Sequence, residues 1–265
     1  MGKVNIVIIG TGNIAYHIAD SFKLSKDLNL VQVFNHRNSL NAKNYAKRFQ
    51  CDLVTNYSSI NLNADLYIIA VKDDAIVEVV KNLIPLNLKG IVVHTSGSVE
   101  MTILKDVAEN TGVYYPLQSF YKGAEIDWKN TPLLIEASSK SGLSQLKQMA
   151  GSISTKVNVM DSKSRLQVHL AAVFACNFTN ALYASAYDLI ENNLSKKDTD
   201  LLWPIMQHSF QKMQKIHPKK AQTGPAMRND QTVMKKHLSL LKDKNELAKV
   251  YKLLSDLIIS QQNPK

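Results

Sequence analysis

Val4-Asn5-Ile6-Val7-Ile8-Ile9-Gly10-Thr11-Gly12-Asn13-Ile14-Ala15 decides the fold of this chain. The first six residues are apolar and mostly β-branched, and they read as a buried strand. The glycines that follow read as a tight turn into a helix. In that strand–turn–helix setting Gly-x-Gly-x-x-Ala has a physical meaning. Gly10 permits the turn, Gly12 lets a pyrophosphate approach the backbone, and Ala15 lets the helix pack closely on the strand. The helix N-terminus then offers free N–H groups and a positive dipole to the phosphates. Thr11, Asn13 and Ile14 complete the turn, and all six residues from Gly10 to Ala15 are candidate cofactor-binding residues.

Working outward, short apolar runs alternate with helical patterns as far as residue 160. Strands are expected at 4–9, 30–35, 66–71, 91–95, 113–115, 133–136 and 156–159. Helices are expected at 14–24, 42–49, 75–84 and 143–150. This alternation predicts an α/β fold with a doubly wound sheet. After Asp161 the strands stop. One long helix is expected over 163–192, with Asp161 or Ser162 as its N-cap, and further helices over 198–216, 230–240 and 245–261. The expected domains are 1–160, binding the nucleotide, and 161–265, all helical.

Composition narrows the function classes. With 265 residues, 45% hydrophobic and 20% charged, the chain can bury a full core and does not read as disordered. No apolar run approaches the roughly 18 residues of a membrane span, and the first residues lack a targeting pattern. The two cysteines, Cys51 and Cys176, have no metal-type spacing around them, so a reduced, cytoplasmic protein without a metal is expected. The net charge of +10 raises nucleic acid and membranes as partners. The basic residues, however, are scattered along helix faces. A phosphorylated small ligand accounts for them better, and neither nucleic acid nor membrane is expected.

The second strand decides the nucleotide. An NAD site usually ends it with Asp or Glu for the ribose hydroxyls. Residues 30–50 contain no acidic residue, and the strand runs into Asn35-His36-Arg37-Asn38-Ser39. Arg37 can pair with a 2′-phosphate and Ser39 can donate to it, so NADP (NADPH) is the expected cofactor. Val71 and Lys72, ending the strand at 66–71, should line it, with Asp73 or Asp74 capping the next helix.

The candidate chemistry lies further on. At 100° per residue His169, Val173, Asn177, Asn180, Ala184 and Tyr187 fall within about an 80° arc of a helix that is apolar elsewhere, which places that helix centrally in its domain. His169 can protonate a substrate with Asn177 orienting it; the alternative is a set of satisfied hydrogen bonds between helices. His94 follows a strand where a nicotinamide would lie. With Ser96, Ser98 and the loop Tyr115 to Phe120, which includes Gln118 and Ser119, it can form the facing wall; the alternative is turn chemistry. Arg228 is a candidate anion clamp or a structural ion-pair residue, and Asp230 is the expected cap of the helix after it. No Gly-x-Ser-x-Gly elbow points to a hydrolase.

The stretches 10–15 and 70–76 resemble pyrroline-5-carboxylate reductase and the coenzyme F420-dependent NADP oxidoreductases. His94-Thr95-Ser96-Gly97-Ser98, Tyr115-Pro116-Leu117-Gln118-Ser119-Phe120, His169 to Phe178 and Thr223 to Asp230 resemble the DUF2520 family of Rossmann-like proteins over nearly the whole chain. The resemblance implies a helical C-terminal domain similar to that of 6-phosphogluconate dehydrogenase, a homodimer formed through it, and an NADP-dependent oxidoreductase. β-Hydroxyacid dehydrogenases carry Lys-x-x-x-Asn in the first long helix of that domain. If Asn177 matches the Asn, Val173 stands at the Lys position, so that mechanism does not transfer. Two functions are therefore expected: hydride transfer between nicotinamide and a small carbonyl or imine substrate, or a dinucleotide-binding sensor or scaffold without turnover.

Overall fold

The computed structural model describes residues 3–262. The chain divides into two compact units, Met1–Asn177 and Phe178–Lys265.

The first unit is built on eight strands: β1 (Val4–Ile9), β2 (Leu28–Phe34), β3 (Asp52–Val54), β4 (Leu66–Ile69), β5 (Ile91–His94), β6 (Thr111–Pro116), β7 (Leu133–Ala137) and β8 (Val157–Val159). They form one sheet in the order β3-β2-β1-β4-β5-β6-β7-β8. All neighbours are parallel except β6 and β7. Connecting helices include α1 (Asn13–Ser21), α2 (Leu40–Phe49), α3 (Asp73–Leu83) and α4 (Lys140–Gly151). β1 explains why the apolar run is nearly continuous. Ile6 and Ile8 enter one cluster with Ile18 and Leu146, while Val7 and Ile9 enter another with Ile76 and Leu83. Alternate side chains of a strand point to opposite faces, and here both faces are covered. Each of these fully buried side chains contributes about 1.5–3 kcal/mol relative to exposure. The strand order reverses between β1 and β4, which leaves a crevice outside their carboxyl ends.

Several local details differ from the sequence pattern. β3 was not expected; its only strongly apolar residues are Leu53 and Val54, and it holds by pairing with β2. Asp73 and Asp74 do not cap α3. Lys72 takes the N-cap position, and the two carboxylates sit in the first turn, where they complement the helix dipole. Asp161 does cap α5 (Ser162–Ala172), its Oδ1 accepting from the Ser164 N–H at 2.7 Å.

The expected central helix needs correction. Between α5 and α6 (Thr179–Glu191) the helix widens into a π-helical turn, Val173–Phe178. Arg165 is the sole buried residue of α5, whereas Leu166, Leu170 and Phe174 are exposed. Arg165 Nη1 donates to Glu136 Oε2 at 2.6 Å, and its Nη2 donates to the Val99 carbonyl at 2.6 Å. Ser162 Oγ accepts from Arg165 Nη2 and donates to the same Glu136 oxygen at 2.7 Å. This network ties α5 to β7 and to the loop after β5. α5 accordingly belongs to the first compact unit.

The second unit carries α6, α7 (Trp203–Lys215), α8 (Pro218–Ala221), α9 (Gln231–Leu240) and α10 (Asn245–Gln262). Asp230 caps α9 as expected, accepting from the Val233 N–H at 3.1 Å. His237 Nδ1 and Tyr251 Oη join α9 to α10 at 2.9 Å. Ala226, Met234 and Leu241 are the buried apolar side chains among its described residues, while Leu201, Trp203, Ile205 and Phe210 are exposed. No helix among the described residues is long and apolar enough to cross a membrane.

Removing one partner of a buried ion pair strands the other charge. Glu136→Ala is expected to destabilise the protein by about 3–5 kcal/mol in denaturant unfolding. Unchanged stability would show that Arg165 needs no carboxylate.

Candidate functional site

A cleft of about 1090 Å³ opens at the carboxyl ends of β1, β2 and β4. Gly10 sits at φ +115°, and a Cβ there would overlap the Ala70 carbonyl. The turn therefore excludes any side chain at this position. Gly12 has the opposite environment. A Cβ on it would meet nothing within 4 Å, so its backbone faces open space at the N-cap of α1. Thr11 Oγ1 donates to Asn35 Oδ1 at 3.2 Å, and Asn35 Nδ2 donates to the Arg37 carbonyl at 2.6 Å. Asn41 Nδ2 donates to the Thr11 carbonyl at 3.1 Å. These bonds lock the glycine turn to the end of β2. Arg37 is exposed there. Ser39 is first of all the N-cap of α2, its oxygen accepting from the Ala42 N–H at 3.2 Å, which leaves its hydroxyl proton to donate elsewhere. Asn13, Ile14, Val71 and Lys72 line the cleft. Asn13 Nδ2 reaches the Phe120 carbonyl at 3.4 Å. Ala15 is buried beneath the turn, against the sheet. A glycine without room for a Cβ, an open N-terminal turn and a dinucleotide-sized cleft fit a bound dinucleotide.

The two histidines of the first unit that carried chemical expectations divide their roles. His94 is fully buried at the end of β5 and does not line the cleft. Its Nδ1 accepts from the Ser96 N–H at 3.2 Å. Burial, and then the Arg165 charge, push its pKa down to about 4, against weaker opposing effects from the Glu100 backbone and Asp73. At neutral pH the ring is uncharged and sealed in, so the proton-donor expectation for His94 is withdrawn in favour of holding the loop after β5. Ser96 is structural as well, its Oγ accepting from the Ser98 and Val99 N–H groups at 3.1 and 3.0 Å. Ser98 Oγ donates to Asp73 Oδ2 at 2.5 Å, on the rim of the cleft.

His169 is half-buried, and its Nδ1 lies 3.0 Å from Tyr115 Oη. The buried Tyr115 ring meets it edge-on. Burial, then the Asp73 charge, raise the phenol pKa, and Arg165 opposes them. Gly97 makes the pair possible, since a Cβ there would stand 2.7 Å from His169 Nδ1 and 2.9 Å from Tyr115 Cζ. Gly97 adjoins Ser98, whose hydroxyl bonds Asp73 in the cleft lining; Gly97, Tyr115 and His169 themselves do not line the cleft. Asn177 is exposed, and no hydrogen bond joins it to His169 among the described residues. The π turn also shifts the phase of the 100° periodicity that grouped the two. Gln118 and Ser119 are exposed and bonded to each other through Gln118 Oε1 and the Ser119 N–H at 2.8 Å. Arg228 is exposed in the second unit.

The sequence pattern missed Arg165, Glu136, Gly97 and Tyr115 as supports of His169. It also missed Tyr57, Glu78 and Asn82 along the cleft. Only Glu78 and Asn82, one turn apart on α3, carried a usable signal.

Residues 4–93 match a family described as oxidoreductases with an NAD-binding Rossmann fold, and residues 131–258 match the domain of unknown function DUF2520. A Bacteroides fragilis protein provisionally named as an NADP oxidoreductase is 36% identical over 97% of this chain and 98% of its own, with a TM-score of 0.90. The chain belongs to this DUF2520 family of Rossmann-fold oxidoreductases. A Thermotoga maritima protein, 22% identical over 95% of this chain and 99% of its own, superposes with a TM-score of 0.72. A reductive aminase from Aspergillus terreus, in complex with NADPH and ethyl-5-oxohexanoate, does so at 0.72 with 16% identity, over 97% and 92% of the two chains. These two share the fold. No curated protein matches in sequence. The family membership agrees with NADP as cofactor.

His94 also makes a pH test. Its folded pKa of about 4 lies below its ordinary 6.5, so the unfolded chain takes up the proton first as pH falls. The stability this site contributes is complete above pH 6.5 and is lost between there and pH 4, on the order of 3 kcal/mol. His94→Gln is expected to flatten the stability profile across that window; an unchanged slope would place the acid sensitivity elsewhere.

Proposed function

We propose that this oxidoreductase uses NADP and transfers hydride between nicotinamide and a small carbonyl or imine compound. The observation that carries the reading is the Tyr115–His169 pair, brought together over Gly97, whose neighbour Ser98 bonds Asp73 of the dinucleotide-sized cleft. Gly10 to Ala15 would hold the pyrophosphate, and Arg37 and Ser39 the 2′-phosphate at the end of β2. When bound, the nicotinamide supplies or accepts the hydride. The chain's own residues handle the proton. Tyr115, its pKa raised, keeps its phenolic proton and can donate it to His169 Nδ1, 3.0 Å away. In that arrangement the Nε2 proton can pass to a developing oxygen or nitrogen anion while Nδ1 takes up the phenolic proton, so that no imidazolate is left. The names of the fold neighbours, a reductive aminase and a Plasmodium falciparum pyrroline carboxylate reductase, belong to the same reaction class.

A sensor or scaffold without turnover remains the second reading, favoured by Val173 at the position of the dehydrogenase lysine. NADPH oxidation against a panel of ketones, aldehydes and cyclic imines separates the two. In the catalytic reading His169→Asn lowers turnover about 10²–10⁴-fold while NADPH affinity is kept. Full turnover in the folded variant removes His169 from the mechanism.

We further propose a homodimer through the helical half. Its few buried apolar side chains contrast with the exposed Leu201, Trp203, Ile205 and Phe210, a composition suited to burial against a second copy of the chain. Light scattering is expected to give twice the chain mass at tens of micromolar protein, by order of magnitude; a monomer there overturns the dimer.

A further inference from the structure

The cleft's wall on α3 has a chemical polarity that phosphate binding does not use. Glu78 and Asn82 stand one helical turn apart, both lining the cleft, with Ala75 and Val79 beside them. Asn82 Nδ2 donates to the Glu78 carbonyl at 2.8 Å and to Glu78 Oε1 at 3.0 Å. Both partners are acceptors, which fixes the orientation of the amide. The amide has only two N–H groups, and both are spent. What the pair can still offer to the cleft is Asn82 Oδ1 and Glu78 Oε2, two acceptors and no donor.

The same end of the cleft carries an apolar wall. The Tyr57 ring packs on Phe34 with centroids 4.3 Å apart, and both residues line the cavity. Phe34 and Tyr57 pack in the same cluster as Val79, the chain neighbour of Glu78, and all four residues line the cleft. Flat apolar surfaces bounded by an acceptor-only edge suit an aromatic ring that carries an amino group. They do not suit one that carries a carbonyl oxygen in its place, since two acceptors then face each other.

We infer that Glu78 and Asn82 select the base of the dinucleotide, accepting from the 6-amino group of adenine and rejecting a 6-oxo purine. This rests on the NADP reading above and makes the pair specificity-determining for it. Pyrophosphate, ribose and 2′-phosphate are held elsewhere, so base selection is separable from them.

The test is equilibrium titration by protein fluorescence, with NADPH and with its hypoxanthine analogue, deamino-NADPH, on the full chain. Wild type is expected to bind the analogue about 10-fold or more weakly, the ratio for one lost or opposed hydrogen bond. Glu78→Gln keeps the shape and supplies an N–H donor on an exposed helix face. It should weaken NADPH, strengthen the analogue and bring the ratio towards one. If NADPH binds and the analogue binds equally well to wild type, the base-selection role is overturned while the NADP reading stands. If Glu78→Gln leaves the ratio unchanged, selection lies with other residues and the assignment fails. If NADPH itself does not bind, the cofactor reading falls, and the inference with it.

Discussion

The first unit depends on one buried charge. Arg165 brings a guanidinium into the interior, where an unpaired ion would cost several kcal/mol. Glu136, Ser162 and the Val99 carbonyl receive three of its donor contacts and so fix three separate segments at once: β7, the start of α5, and the loop after β5. Arg165 and His169 are four residues apart on α5 and therefore share a face. Clamping the first presents the second to Tyr115 on β6. A hydrophobic anchor at 165 could hold the helix down, but it would not specify rotation and register through directed hydrogen bonds in the same way.

The same charge separates the two histidines. It helps keep His94 neutral, and it opposes the rise of the Tyr115 phenol. One cation thus disfavours a proton on the sealed ring. Gly97 completes the separation sterically, since the loop that contains Ser96 and Ser98 can lie against the Tyr115–His169 pair only without a side chain at that position.

The sheet was legible in the sequence because a strand buried on both faces must be an apolar run, and β1, β4 and β5 are such runs. Asp161 and Asp230 were legible as caps because their chemistry is local. β3 was hidden, since a three-residue edge strand has no periodicity to show. The role of Arg165 was hidden for a different reason. Charged residues are usually exposed, and nothing near position 165 announces a carboxylate at 136. Tyr115 and His169, 54 residues apart, meet only through tertiary packing. The helical stripe of His169 and Asn177 misled because it assumed one uninterrupted α-helical period, and the π turn breaks it.

β1 has a consequence for the order in which this protein can fold. It is hydrogen-bonded on one side to β2 and on the other to β4. A ribosome that has just made Ile9 must add residues up to Ile69 before the second partner exists, about 3–12 s at 5–20 residues per second. Throughout that interval an apolar strand with an unsatisfied edge is present in the nascent chain, the kind of segment that pairs with whatever strand it meets. The segment that later carries the pyrophosphate turn is therefore also the one most in need of shielding during synthesis.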